Sequence, residues 1–446
     1  MQDSIGAQPK ARIVYVGDDE SLSALTLFFS DSGYEIGPLN QLKNGDIGLI
    51  DLRGKRVSSR KAQSIAAVLR KSSPELSILM LVDPFVDDTA RKALRRHGEL
   101  VVATTSMNGV IERCRQILRV RNIAEETGER LKTLATLNRL NEFPPISATT
   151  APLKVLVAGE ASPLALNILN ALLPICEQCI CVFSAGQALR ALESANFDAA
   201  MFLPKSGSDP LMSLVRSLRR HPKHASMPVV FPIDDPDSCG DLALRGATDF
   251  IFANHIATDL GPKIQVAARR ARLMMTMRKF LQACEGDGIR DPSSGAFTAT
   301  FLAEHGARLC SRSDQSGRSM ALIALKIGSA SQFNGEAEPG RRALHQAARL
   351  INRVSRAEDV VCRIATDIFL ILMPATTEHH ASQAAQRIQG VLENTVFRSN
   401  SENMLYGMTV ALAIRSRPEG MCVEECVAMI LSSLRVDADA SASGGR

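Results

Sequence analysis

Short, continuous apolar runs that end in acidic residues, each followed by a helical pattern, recur along this chain in two successive sets. That repetition restricts the fold more than any other feature. The run ARIVYV at 11–16 ends in Gly17-Asp18-Asp19-Glu20, and a helical pattern follows over 22–32. A second run at 47–50 ends in Asp51, and a third at 76–82 ends in Asp83. Runs this short and this uniformly apolar fit strands buried on both faces, and their alternation with helices predicts a parallel sheet covered on both sides. Ligands of such sheets sit beyond the carboxyl ends of the strands, which is where these acids fall. PLKVLVAGE at 152–160 begins the pattern again, followed by a helix, FDAAMFLP at 197–204, MPVVFPI at 227–233 and GATDFIFA at 246–253. Residues 154–159 align with 12–17 and 197–203 with the run ending at Asp51, whose place is now taken by Leu203.

The chain's 446 residues provide for about three domains. No run approaches the ~20 apolar residues of a membrane span, and the first ten residues lack the apolar core of a signal peptide, so a cytoplasmic protein without a span is expected. The ten cysteines are scattered, as buried small hydrophobes would be. Cys176 and Cys179 form a CxxC with Cys181 nearby, and His379-His380 is a histidine pair, but neither has the second ligand pair a metal site needs. A net charge of +5 spread along the chain, with only 4% aromatic residues, argues against nucleic-acid binding.

Between and after the repeats lie two long helical patterns. Over 110–141, Ile111, Cys114, Ile117 and Leu118 share one face, and Leu131, Leu134, Leu137 and Leu140 recur every third residue until Pro144-Pro145, which is predicted to stop the helix. The leucine stripe reads as packing, or as a dimer seam if exposed. The basic, Met-rich stretch at 264–281 reads as a linker helix. The predicted organisation is a first domain over 1–125, a linker over 126–150, a second domain over 151–262, a linker over 263–285, a third domain over 286–435 and a disordered tail over 436–446.

The third domain carries the most specific pattern, RVSRAEDVVCRIATDIF at 353–369. Arg356 and Asp359 are spaced RxxD; five residues later comes Ala365-Thr366-Asp367-Ile368-Phe369, and the flanking apolar runs predict two strands joined by a tight turn. This layout resembles the inhibitory site and signature loop of GGDEF domains, the diguanylate cyclase fold. Asp291-Pro292-Ser293-Ser294-Gly295-Ala296-Phe297 resembles that family's DPLTGL opening motif.

By the same comparison, residues 11 to about 125 resemble a receiver domain of the response-regulator family. The resemblance implies Asp51 as phosphoacceptor and Asp18, Asp19 and Asp51 as a Mg²⁺ site. The match departs at Asp83, where a Ser or Thr is expected, and at Thr104 or Thr105, where a Lys is expected. A carboxylate in place of a hydroxyl, with no fixed cation, repels an incoming phosphate. The second repeat resembles a receiver that has lost its chemistry. Only Glu160 of the acidic pair remains, Leu203 stands at the nucleophile, Ile233 at the hydroxyl and Ala253 at the Lys, so a scaffold or dimerisation module is expected.

The expected fold class is therefore α/β: two receiver domains with flavodoxin-like parallel sheets, followed by an α+β cyclase-like GGDEF domain. In that last domain the cyclase residues have departed. Lys326 stands where the family's first metal carboxylate belongs, Ala365 and Thr366 replace two loop glycines, and Ile368 replaces an acid. Asn334 matches a guanine-reading Asn, but Gly335 and Arg341 replace its acidic partners, and 428–434 lacks the phosphate-binding Lys. Two-metal phosphoryl transfer needs several carboxylates, and Asp367 alone cannot hold two ions. No enzyme activity is expected.

The RxxD site keeps what cyclic di-GMP binding requires: a guanidinium fork for phosphate and guanine acceptors, and a carboxylate for the guanine edge. Arg356 and Asp359 fit those roles, and Arg387 falls where the family has a third contributor. The whole chain resembles PleD-type response regulators, and most closely their PopA-type members. That resemblance implies a cyclic di-GMP effector, a homodimer, which goes to a cell pole and helps deliver substrates to the ClpXP protease through an RcdA-like adaptor. The alternative is a regulator controlled by phosphorylation at Asp51.

Overall fold

The structure, a computed structural model, describes residues 9–42, 45–54, 59–73, 76–83, 86–102, 108–140, 151–205, 209–221, 223–235, 246–284, 289–329, 341–398 and 405–443. Asn334 and Gly335, and Thr104 and Thr105, lie outside them, as does the side chain of Arg341.

The first domain is a five-stranded parallel sheet of β1 (Ala11–Val16), β2 (Tyr34–Pro38), β3 (Ile47–Asp51), β4 (Ser77–Val82) and β5 (Glu99–Val102), in the order β2-β1-β3-β4-β5. Helices α1 (Asp19–Ser30), α2 (Ser59–Ser72), α3 (Asp88–Arg95) and α4 (Asn108–Thr136) connect or follow the strands. Every residue of β3 is buried, as a strand covered on both faces should be. The second domain repeats the plan with β6 (Leu153–Gly159), β7 (Cys176–Val182), β8 (Ala199–Leu203), β9 (Val229–Ile233) and β10 (Asp249–Phe252), ordered β7-β6-β8-β9-β10 and again parallel. Its helices are α5 (Pro163–Leu172), α6 (Ala185–Ser194), α7 (Pro210–Arg220) and α8 (Ile256–Ala283). The strands β2 and β7 were not among the predicted runs. Each is an edge strand with one neighbour, and YEIGP and CEQCICV mix polar residues, Gly or Pro into what an inner strand would keep apolar.

The third domain contains α9 (Ala299–Ser316), β11 (Met320–Ser329), α10 (Arg341–Val354), β12 (Val360–Arg363), β13 (Ile368–Pro374), α11 (Glu378–Glu393), β14 (Phe397–Arg398), β15 (Leu405–Tyr406), β16 (Met408–Ser416) and α12 (Val423–Ser443). An antiparallel sheet ordered β12-β13-β11-β16 forms its centre, with one apolar cluster on each face, and β14 pairs with β15 apart from it. The helix α12 runs to Ser443, through the stretch expected to be a disordered tail. Val436-Asp437-Ala438-Asp439-Ala440 contains no Gly or Pro to end a helix.

Two helices tie the domains together. The first turns of α4 bury Val110, Ile111, Cys114, Ile117 and Leu118 in the first domain, and the same helix places Ile123 and Leu134 in the core of the third. It runs unbroken across the boundary expected at 125. The helix ends at Thr136, and Asn138 adopts a left-handed φ of 57°, so a local helix cap rather than Pro144-Pro145 stops it. Leu131 and Leu137 are partly buried against the third domain's core, which gives the leucine stripe a packing role, while Leu140 remains exposed. The helix α8 behaves alike: Ile256, Leu260 and Ile264 pack under the second sheet, and Met274, Met277, Phe280 and Leu281 in the third domain. Two of its methionines, Met274 and Met277, are core, while Met275 is exposed.

Ion pairs fix the domains laterally. On α3, Arg91 donates to Asp259 of α8 from Nε at 3.0 Å and Nη2 at 2.5 Å, with both side chains almost wholly buried. Alongside, His255 Nδ1 lies 2.8 Å from Asp88. The third domain meets the first where Ser319 N–H donates to Pro9 O at 3.0 Å and Arg12 Nη1 to Ser316 O at 3.1 Å. No described helix is long and apolar enough to cross a membrane.

Candidate functional site

The RxxD segment is the turn between α10 and β12. Arg356 N–H donates to Asp359 Oδ2 at 2.8 Å, and Asp359 N–H donates back to Arg356 O at 3.2 Å, which closes the turn and sends the Arg356 side chain outward. That guanidinium is exposed, and Nη1 donates to Thr376 Oγ1 at 3.4 Å. Asp359 faces inward instead. It is 6% exposed, its Oδ1 has no hydrogen-bond partner, and its carboxyl is pushed up to about 7 by burial and the neighbouring Glu358, against the pull of Arg356. From α11, Arg387 Nη2 donates to Val354 O at 3.3 Å, two residues before Arg356. The structure therefore gathers Arg356, Asp359 and Arg387 at one turn. The carboxylate assigned to the guanine edge is tucked beneath it rather than displayed.

Three further bases surround this turn that sequence reasoning did not assign to it. Lys10, immediately before β1, is lowered to about 8 by burial and by the charges of Arg356 and Arg115, with Glu112 opposing. His380 on α11 is lowered to about 4 by burial and by Lys10, His379, Arg356 and Arg115. Burial is the larger cause for both bases, and neighbouring positive charges add to it, with Glu112 opposing at Lys10 and lying 3.6 Å from Arg115. His379-His380 had drawn notice only as a weak metal pair. Nothing in the sequence links Lys10 or Arg115 to Arg356, because docking of the first domain on the third creates the contact.

The family described as "Diguanylate cyclase, GGDEF domain" matches residues 289–422. Those residues are a GGDEF domain. Solved structures similar to the chain include the GGDEF domain of DgcB from Caulobacter crescentus in complex with c-di-GMP, at 19% identity over 36% of this chain and 92% of that one, with a TM-score of 0.32. Others are the FimX GGDEF domain from Pseudomonas aeruginosa (18% identity, 35% and 95% covered, TM-score 0.30) and the diguanylate cyclase SiaD with its activator SiaC from the same organism (22%, 42% and 72%, 0.32). No curated protein matches the chain.

Within the GGDEF domain, the signature loop spans the turn between β12 and β13. Arg363 holds it shut: Nε donates to Ala365 O and Thr366 O at 3.2 and 3.1 Å, and Nη1 to Asp291 Oδ1 at 3.1 Å. Asp291 also accepts from Ser293 N–H and Ser294 N–H, and burial is outweighed by these bonds and Arg363, which bring its carboxyl down to about 2. Lys326 pairs across the sheet with Ile368, so its exposed side chain sits beside the loop, and the Asp367 carbonyl accepts from Ile327 N–H at 2.9 Å.

In the first domain, Asp51 ends β3 as expected, but its carboxylate is engaged. Arg53 Nη2 lies 2.5 Å from Oδ2 and Nε 2.9 Å from Oδ1, while the Tyr15 hydroxyl donates to Oδ2 at 3.1 Å. Burial and the Asp51 charge push the Tyr15 hydroxyl well above its usual range. Asp18 is the N-cap of α1, accepting from Ser21 N–H at 2.8 Å, and Asp83 accepts from Gly54 N–H at 2.8 Å. Of the residues expected to hold Mg²⁺, Asp18 gives one oxygen to the helix cap and Asp51 is bound by Arg53 and Tyr15, while Asp19 is exposed in the first turn of α1. Among the described residues, no three His, Cys, Asp or Glu side chains form a metal-holding group. Leu203 ends β8 at the corresponding place in the second domain, where it offers no oxygen.

Proposed function

We propose that this chain is a cyclic di-GMP receptor without diguanylate cyclase activity, binding the dinucleotide at Arg356, Asp359 and Arg387. One observation carries the reading: the exposed Arg356 guanidinium faces outward among Lys10, Arg115 and His380, with Glu112 as the acid that opposes them. Two phosphodiesters per ligand, each suited to a guanidinium fork, supply the missing negative charge. Because Lys10 and Arg115 belong to the first domain, a ligand there is held between that domain and the GGDEF domain. The absence of cyclase chemistry in this reading is supported by the cation Lys326 beside the signature loop and by Ala365 and Thr366 in place of its glycines.

The two N-terminal domains are read as receivers, which the parallel order β2-β1-β3-β4-β5 and its repeat support. The PopA-type resemblance supports a homodimeric, polar effector that presents substrates to ClpXP through an RcdA-like adaptor. The deciding experiment is isothermal titration of cyclic di-GMP into wild type and Arg356→Gly. Binding near two ligands per site, lost in the variant, supports the receptor, and equal affinity in the two proteins overturns it. Incubation with GTP and Mg²⁺ should yield no cyclic di-GMP.

A further inference from the structure

A second cationic site lies away from the RxxD turn. A cavity of about 260 Å³ opens between α4, α8 and the end of α7, and Arg113, Arg119, Arg219 and Arg270 line it against one carboxylate, Glu112. Two of these arginines are neutralised from behind: Arg113 contacts Glu99 and lies 3.6 Å from Asp249, and Arg270 Nη1 lies 2.8 Å from Glu99. The other two have no carboxylate partner among the described residues. Arg219 is held by neutral acceptors, with Nε donating to Gly246 O at 2.8 Å, Nη1 to Ala225 O and Met227 O at 3.1 and 2.7 Å, and Nη2 to Thr248 Oγ1 at 2.8 Å. Burial pulls it down to about 10, so its charge is held at a cost, in a fixed orientation. Arg119 is exposed on α4 across the cleft. At the rim, Arg278 Nη1 donates to Ser226 Oγ at 2.6 Å.

Arg219 keeps its charge in a fixed place but spends four of its five N–H donors on neutral acceptors, so it attracts an anion chiefly by charge, and the exposed Arg119 supplies the fork that would bind it. The volume lies just under the ~300–1,000 Å³ of drug-sized pockets, enough for a phosphorylated group and little more. We propose that the cleft binds a small molecule carrying a phosphate or pyrophosphate group, held between Arg119 of the first domain and Arg219 and Arg270 of the second domain and its extended helix. Such a ligand joins the two N-terminal domains by charge, independently of the RxxD turn.

The test is titration of inorganic pyrophosphate into the full chain at two salt concentrations. Arg119→Glu is the chosen variant, because Arg119 is exposed, whereas Arg219 ties together three backbone carbonyls. Saturable, salt-sensitive binding by wild type, weakened at least tenfold in Arg119→Glu and unchanged in Arg356→Gly, supports the site. Absence of saturation in wild type overturns it. So does binding that survives in Arg119→Glu, or that disappears in Arg356→Gly and so belongs to the RxxD turn.

Discussion

Asp51 and the RxxD turn are both charged sites placed by α/β scaffolds, but the chain treats their charge in opposite ways. The Asp51 carboxylate is neutralised within its own loop by Arg53, two residues on, and accepts a hydrogen bond from Tyr15 of β1. Arg356 has the reverse surroundings, with Lys10, Arg115 and His380 nearby and its own Asp359 turned inward. A site that carries its counter-charge in the chain has little to gain from a ligand, whereas one that lacks it gains the full attraction of an anion. The same sequence distance, a few residues between Arg and Asp, therefore marks a closed site in one case and an open one in the other.

The comparison breaks most directly at Arg356. Replacing it with Gly removes the fork and should lower cyclic di-GMP affinity by the ~2–5 kcal/mol typical of a charge-paired contact, or about 30- to 4,000-fold. Calorimetry reads the loss, and an unchanged far-ultraviolet circular dichroism spectrum shows that the fold persists.

The next largest effect is in pH. Asp359 titrates near 7 in the free protein, and a guanine edge requires its ionised form, so affinity should rise as pH approaches 7. Lys10 loses its proton above about 8, and with it an attraction for phosphate, so affinity should fall beyond that point. Binding is expected to peak between pH 7 and 8. Stability runs differently. Because the folded-state pKa of Asp359 is raised, the folded chain holds a proton that the unfolded chain has lost between the usual carboxylate range and 7. The stabilisation from protonated Asp359 is complete at low pH and disappears as pH rises through that window. For Lys10, whose folded pKa is lowered, stability rises with pH from about 8 to the usual lysine range. Titrations across pH 5–9, paired with urea melts, would expose either sign as wrong.

Arg53→Ala sharpens the other half of the contrast. It leaves a buried carboxylate short of partners, which should cost about 1–3 kcal/mol in a urea melt. It should also increase labelling of Asp51 by acetyl phosphate, read by intact mass. Efficient labelling of wild type would mean that Arg53 leaves readily, and that phosphorylation rather than ligand binding governs the first domain.

The inner strands were readable because burial on both faces leaves an unbroken apolar run, as in β3, and the hairpin β12–β13 because the same apolar runs flank it. Edge strands β2 and β7 escaped, since one neighbour and partial exposure permit Glu, Gln, Gly and Pro. Arg356, Asp359 and Arg387, which α10, β12 and α11 bring to one turn, were picked out by spacing within one domain. Lys10 and Arg115 were not, and neither was the Arg91–Asp259 pair, because partners created by domain docking leave no periodic trace. The inward turn of Asp359 was equally hidden. Its spacing from Arg356 gives the turn, and only the packing beneath decides which way the carboxylate faces.

The smallest effect is expected at His380, and it tests whether the cations around Arg356 act as charges or as shape. With its pKa lowered to about 4, His380 is neutral at pH 7 and adds no attraction for phosphate in the free protein. His380→Ala should therefore change cyclic di-GMP affinity at pH 7 by less than about threefold, within the scatter of a lost neutral hydrogen bond. Lys10→Met, which removes a cation still largely protonated at that pH, should cost roughly tenfold, near the ~1.4 kcal/mol of one charge-assisted contact. If the two substitutions cost the same, the bound phosphates must raise His380 enough to protonate it. Binding at pH 7 would then take up a proton, which titration in buffers of different ionisation enthalpy measures directly.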